Sequence, residues 1–145
     1  MNKYMTEAVL EGEKGCKKKH GGPFGAVVVK GGKIVGRGHN MILTKKDPTA
    51  HAEVEAIRDA CKNLKTYNLK GCEIYSVSEP CVMCLGAILL ANIESCYFGC
   101  TLEDARLLGL SENNFYNNIE VLHDKITHCI DRQQCLNLFD KYNKK

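Results

Sequence analysis

The 145 residues carry 20 Lys and Arg against 17 Asp and Glu, a formal net charge of +3, with 44% hydrophobic and 26% charged residues. A chain of that length fits one compact domain that buries its own core, and the balance is that of a globular protein, not a disordered one or a polycation. Nine cysteines are many, but an odd count, a charged start (MNKYMTEAVLEGEKG) and the apolar setting of several of them argue against a secreted disulfide scaffold. The expected compartment is a reducing cytoplasm, with the cysteines outside positions 81 and 84 acting as small packing residues. Val82–Ala91, the longest apolar stretch, is too short to span a bilayer. Lys17-Lys18-Lys19 reads as a solvated helix end, so neither a membrane nor nucleic acid is an expected partner.

Taken in chain order, residues 2–19 read as a helix with Met5, Ala8, Val9 and Cys16 on one face. Two β-rich runs, Ala26–Val29 and Ile34–Gly36, flank Gly31-Gly32, a hairpin signal. A second helix is expected from Thr49, as N-cap, to about Leu64, with a stripe of Val54, Ile57, Cys61 and Leu64. Cys72–Val77 reads as a buried strand. Pro80 suits the first turn of a third helix, Cys81–Ala91, whose all-round apolar surface is expected to be covered on more than one side. A short strand, Ser95–Phe98, follows. Helical pieces are expected at 102–110 and 113–119, and a final one over 130–142 aligns Cys135, Leu138, Phe139 and Tyr142. With no repeat, low-complexity segment or linker, residues 1–145 read as a single domain, and alternating strands and helices around one hairpin imply an α/β layer structure with a mixed sheet.

Two pieces carry chemistry: Thr49-Ala50-His51-Ala52-Glu53 and Glu79-Pro80-Cys81-Val82-Met83-Cys84. Cysteines three apart at a helix start send both sulfurs the same way, and the helix N-terminus favours their thiolates. His51 is expected in a first helical turn too, so two helices can aim their starts at one ion. Two sulfurs and an imidazole suit zinc, and three protein ligands leave a fourth position for a water whose pKa the metal lowers to around 7. Glu53, two residues from His51, is poorly aimed for ligation but can reach that water as a proton shuttle. Two blander readings stand beside this one. A lone C-x-x-C can be a redox dithiol, although the H-x-E then has no role, and a structural zinc would recruit a fourth ligand from Cys72, Cys96 or Cys100. His20, His39, His123 and His128 read as ordinary surface or core polar residues.

H-x-E followed by P-C-x-x-C is the signature of zinc nucleobase deaminases, and from Gly21 to Tyr116 the chain resembles the cytidine/deoxycytidylate deaminase superfamily. Within it the chain is most similar to the bacterial guanine deaminases, through Gly21–Ala26 (GGPFGA), Asp47–Glu53 (DPTAHAE), Glu79–Ile88 (EPCVMCLGAI) and the segment ending in Phe115-Tyr116. The resemblance implies a three-layer α/β/α sandwich with a central mixed sheet. It also implies one zinc per chain on His51, Cys81 and Cys84, and hydrolysis of guanine to xanthine and ammonia, with zinc-bound hydroxide attacking the amine-bearing carbon and Glu53 moving protons. By position it further implies that Asn40 hydrogen-bonds the base, that Phe24 lines the pocket, that the Ala52 N–H points into it, and that Glu112 helps bind the base and move protons. On the residues alone, Asn40 reads equally as a turn residue, Glu112 as a solvated loop acid and Phe24 as core.

The sequence departs from the guanine deaminases at three places: Glu112 stands where aspartate is usual, Leu90 where an aromatic is, and the tail does not end in tyrosine, for which Tyr142 is the substitute. The resemblance also implies a homodimer that exchanges the C-terminal helical segment, about 130–143, between subunits. Adenosine deamination in tRNA, or deamination of cytosine or cytidine, is the alternative chemistry. A zinc-binding module without catalysis is disfavoured by the intact Glu53.

Overall fold

The computed structural model describes residues 1–110 and 118–144, which form two compact units, Met1–Glu112 and Asn113–Lys145. In the first unit the described elements are α1 (Lys3–Lys17), β1 (Gly25–Lys30), β2 (Lys33–His39), a single turn α2 (Ile42–Lys45), α3 (Ala52–Leu64), β3 (Cys72–Ser78), α4 (Val82–Leu90), β4 (Ser95–Cys100) and α5 (Leu102–Leu107). The sheet order is β2-β1-β3-β4, antiparallel except for the parallel β3–β4 pair. Gly31 and Gly32 both sit at positive φ (56° and 79°), as the tight β1–β2 turn requires.

Alternation along β1 divides the core between the two faces of the sheet. Val27 and Val29 join Ala8 of α1 and Tyr75 on one face. Ala26 and Val28 join Ala52, Ala56 and Ala60 of α3, together with Ile74 and Ile88, on the other. Helices therefore cover both faces, giving the expected three-layer α/β/α sandwich around a mixed sheet. The α3 layer lies very close to β2: a methyl on Gly38 would meet the Ala52 carbonyl oxygen at 2.5 Å. This close seating holds the N-terminus of α3 at the sheet.

Several expectations need correcting. Thr49 is not an N-cap; its N–H and hydroxyl both bond to Asp47 Oδ1 (2.8 and 2.6 Å) in a local turn, and α3 starts only after His51. Pro80 lies before the helix rather than in its first turn, because the extended chain runs on past β3, with the Glu79 N–H donating to the Cys100 carbonyl (2.7 Å). Within one chain α4 buries Cys84 and Ile88 and leaves Leu89 and Leu90 exposed. The cysteines are less uniformly packed than expected. Cys72 is buried and Cys61 and Cys96 half-buried, but Cys16, Cys100, Cys129 and Cys135 are exposed.

The second unit contains α6 (Ile119–Ile126) and α7 (Arg132–Asn143). Most of the helix expected at 113–119 lies outside the described residues; α6 begins where that piece was to end. α7 matches the expected C-terminal helix, and Leu138, Phe139 and Tyr142 are exposed along it. No described helix is long and apolar enough to cross a membrane.

Candidate metal centre and active site

Two helix starts converge. His51 is the N-cap of α3 and Cys81 the N-cap of α4, both in extended backbone and neither spending its side chain on a cap. Their side chains are thereby free to point outward from the helix ends. Cys84, one turn into α4, brings its sulfur alongside Cys81 as the three-residue spacing requires. His51 Nδ1 lies 3.7 Å from Cys81 Sγ and 3.5 Å from Cys84 Sγ, and the three ligand atoms all fall within 4.8 Å of one another. One imidazole and two thiols at that spacing match the donor set of a three-ligand zinc site. Among the described residues no fourth ligand joins the group; Cys72, Cys96 and Cys100 stand apart from it. Burial pushes the Cys96 thiol up to about 11, which keeps it protonated.

Of the two cysteines, Cys84 keeps its proton and Cys81 does not. The neighbouring Cys84 side chain first, and then His51, hold Cys81 down at about 4 despite its partial burial. Cys84 is raised well above the ordinary thiol range by the neighbouring Cys81 sulfur, by burial and by the Glu53 carboxylate. The Cys81 sulfur in turn raises the His51 imidazole above its usual value. One thiolate therefore stands ready for a cation, and the second ligand gives up its proton when one binds.

Glu53 is buried one residue into α3. Its Oε1 accepts a hydrogen bond from the Ser76 hydroxyl (2.7 Å) and its Oε2 one from the Cys84 thiol (3.2 Å). The carboxylate thus lies beside the metal-ligand group, in contact with one of its sulfurs. Ser76, only 1% exposed, was missed on sequence. The available signal was a hydroxyl at an inward-facing position of a buried strand, two residues beyond Ile74.

Asn40 follows β2 directly and is buried. Its backbone N–H donates to the Phe24 carbonyl (3.1 Å), and its Oδ1 accepts from the Ile42 N–H (3.0 Å). The turn-residue reading is therefore correct as far as Oδ1 goes, yet among the described residues Nδ2 has no acceptor and remains a donor to offer. Phe24 is half-buried against the core cluster under α3. The Ala52 N–H, in the first turn of α3, has no partner within the helix. Glu112 and Phe115-Tyr116 lie outside the described residues. Tyr142 belongs to α7 of the second unit.

The family of the cytidine and deoxycytidylate deaminase zinc-binding region matches residues 1–100. Guanine deaminase of Bacillus subtilis (strain 168) is 44% identical over 117 residues, which span 81% of this chain and 75% of the relative. The X-ray structure of guanine deaminase from Bacillus subtilis resembles the present one with a TM-score of 0.87 at 36% identity, covering 100% of this chain and 96% of the other. The tRNA-specific adenosine deaminase of Aquifex aeolicus (strain VF5) is also 44% identical, over 95 residues that span 66% of this chain and 63% of that relative. With the zinc-binding region matched over residues 1–100 and the two helix starts bearing its histidine and cysteines, the chain belongs to the cytidine and deoxycytidylate deaminase family.

Proposed function

We propose that this chain is a zinc-dependent hydrolase of a free nucleobase, converting guanine and water to xanthine and ammonia. The observation that carries the reading is the convergence of His51, Cys81 and Cys84 beside Glu53, whose oxygens are held by Ser76 and Cys84. Guanine is favoured over other bases because the likeness to the guanine deaminase structure covers 100% of this chain with a TM-score of 0.87, whereas that to a tRNA:A34 deaminase structure covers 68% of it with a TM-score of 0.65.

On this reading His51, Cys81 and Cys84 hold one zinc ion, which when bound supplies the Lewis acidity that makes water a nucleophile near neutral pH. Glu53 takes the two protons of the attacking water in turn, passing the first to the ring and the second to the departing nitrogen, a role worth ~10²–10⁴-fold in rate. The base is oriented by Asn40 Nδ2 and the Ala52 N–H, both donors without another partner among the described residues, and it lies against the Phe24 ring. Glu112, acceptor-only when ionised, favours a base that presents ring N–H and amino donors. Tyr142 approaches the site of a second subunit in a homodimer that exchanges the C-terminal segment, so that residues 1–145 work as one deaminase domain in the cytoplasm.

Adenosine deamination in tRNA is the second reading, favoured by a relative of that activity at the same 44% identity. Ammonia release from guanine, adenosine, cytosine, cytidine and a tRNA anticodon stem-loop separates the two. Turnover of guanine in preference to the stem-loop supports the proposal. Preference for the stem-loop, or for cytidine, overturns the guanine assignment while leaving the family intact.

A further inference from the structure

α1 packs on the sheet through Ala8, Glu11, Gly12 and Gly15. Three of these are small and fit a helix seated close to β-strands; the fourth is an acid. Glu11 is 9% exposed and meets His39, 7% exposed, at the end of β2, with Oε1 2.9 Å from Nδ1. The other ring nitrogen of His39, Nε2, lies 2.8 Å from His20 Nδ1, and the two imidazoles stack with centroids 5.1 Å apart. Room for this arrangement is made on α1, since a methyl on Gly15 would strike His39 Cδ2 at 2.5 Å. Burying an acid and an imidazole costs desolvation that apolar side chains of the same size would avoid. Among the described residues no base-contact or metal-ligand role uses the three.

Their neighbours do have roles. His39 directly precedes Asn40, and His20 directly precedes Gly21, where a side chain would collide with Asn40 Oδ1. The His20 backbone carbonyl accepts from the Leu43 and Thr44 N–H groups (3.0 and 3.3 Å), and its N–H donates to the Gly15 carbonyl (3.0 Å). His20 thus touches the end of α1, the start of α2 and the end of β2. Burial, His39 and Lys18 hold the His20 imidazole below its ordinary range, so its neutral Nδ1–H can donate to His39 Nε2 while His39 Nδ1–H donates to Glu11.

We propose that Glu11, His39 and His20 form a hydrogen-bonded clamp that positions Asn40, fixing its amide so that Oδ1 stays on the Ile42 N–H and Nδ2 faces the base. The inference rests on the reading that Asn40 contacts the base. The clamp residues do not touch substrate themselves and act through Asn40.

The test compares wild type, His20→Ala, His20→Asn, Asn40→Ala and the double variant His20→Ala/Asn40→Ala, each checked for zinc content and melting. An Asn side chain presents a donor close to where His Nδ1 stands, so it restores the clamp. Two readouts are used. Without substrate, hydrogen exchange of the Ile42 amide should quicken about tenfold in His20→Ala, as expected for loosening one hydrogen-bonded turn. It should return toward wild type in His20→Asn and leave the Val28 amide of β1 unchanged. With guanine, His20→Ala should raise KM about tenfold at nearly constant kcat, the signature of lost uniform binding. The double variant should be no worse than Asn40→Ala alone, because both changes remove the same contact. Should His20→Ala melt below the assay temperature, His20→Leu, which keeps the volume and removes the donor, takes its place under the same expectations. An unchanged Ile42 exchange rate, or additive effects in the double variant, overturns the clamp. A wild-type KM in Asn40→Ala overturns the base contact and the proposal with it. A raised KM there beside a wild-type His20→Ala overturns the clamp alone.

Discussion

At the scale of residues, the centre depends on where a few polar atoms are pinned. Ser76 is the clearest case: a buried hydroxyl on β3 that donates to Glu53 Oε1 and leaves the other oxygen turned toward Cys84. Removing that donor leaves a buried carboxylate oxygen unsatisfied, a loss of roughly 1–3 kcal/mol. Ser76→Ala is therefore expected to lower kcat about tenfold or more, with zinc content and KM near wild type. Ser76→Thr, which keeps the hydroxyl, should recover most of the rate. Steady-state kinetics with metal analysis checks both. The thiols give a second residue-scale prediction. Cys81 is already a thiolate and Cys84 a thiol, so in mildly alkaline buffer the protein ligands should release about one proton per site on zinc binding, beyond the one that ionisation of the metal-held water adds. Because the Cys81 sulfur raises the His51 pKa, His51 holds its proton to higher pH than a free imidazole. As pH falls through the His51 range, release from the ligands should climb toward two. Calorimetry in buffers of different ionisation enthalpy measures it, and a release of zero would contradict the assigned protonation. The metal-ligand group was legible in the sequence because two short motifs carry it. Ser76 and the Glu11–His39–His20 set were not, because each is made by residues far apart in the chain.

At the scale of elements, the signals that succeeded were periodic or turn-specific. Gly31-Gly32 marked the hairpin, and the strand and helix patterns put β3, α3 and α4 in the right order. Helix starts were less legible. Thr49 has the right chemistry for a cap, but Asp47 occupies its hydroxyl, and His51 and Cys81 become N-caps whose side chains serve the metal-ligand group instead of the helix. A site that takes over cap positions hides the usual cap signal. The close seating of α3 on β2 should also be measurable. Gly38→Val would force backbone apart where even a single methyl meets the Ala52 carbonyl oxygen at 2.5 Å. Overpacking of this kind costs about 1–3 kcal/mol or more, and displacing the start of α3 should weaken zinc retention together with the melting temperature. Equal zinc affinity in a destabilised Gly38→Val protein would show that α3 is held by other contacts.

At the scale of the whole molecule, the first unit leaves apolar side chains open to solvent: Leu89 and Leu90 on α4, Tyr97 and Phe98 on the edge strand β4, and Leu107 and Leu108 at the end of α5. The second unit leaves Leu138, Phe139 and Tyr142 of α7 equally open. Such surfaces are costly in a monomer, and the proposed homodimer gives them partners. Sedimentation at micromolar concentration is expected to give a dimer, and removal of residues 129–145 should weaken assembly and activity together. A monomer with full activity would remove the proposed exchange of segments. The periodicity of the C-terminal helix made its apolar face readable, but a partner for that face leaves no mark in one chain's pattern.

The most direct test of the proposed chemistry is ammonia release from guanine by Glu53→Gln beside wild type, with zinc quantified in both. Glutamine keeps the size and can still receive the Ser76 hydrogen bond, but it cannot carry a proton from water to the base. The predicted result is about one zinc per chain in each protein, xanthine and ammonia formed in equal amounts by wild type, and a loss of at least about 10²-fold in kcat for Glu53→Gln. Full turnover by Glu53→Gln with its zinc in place would contradict the account.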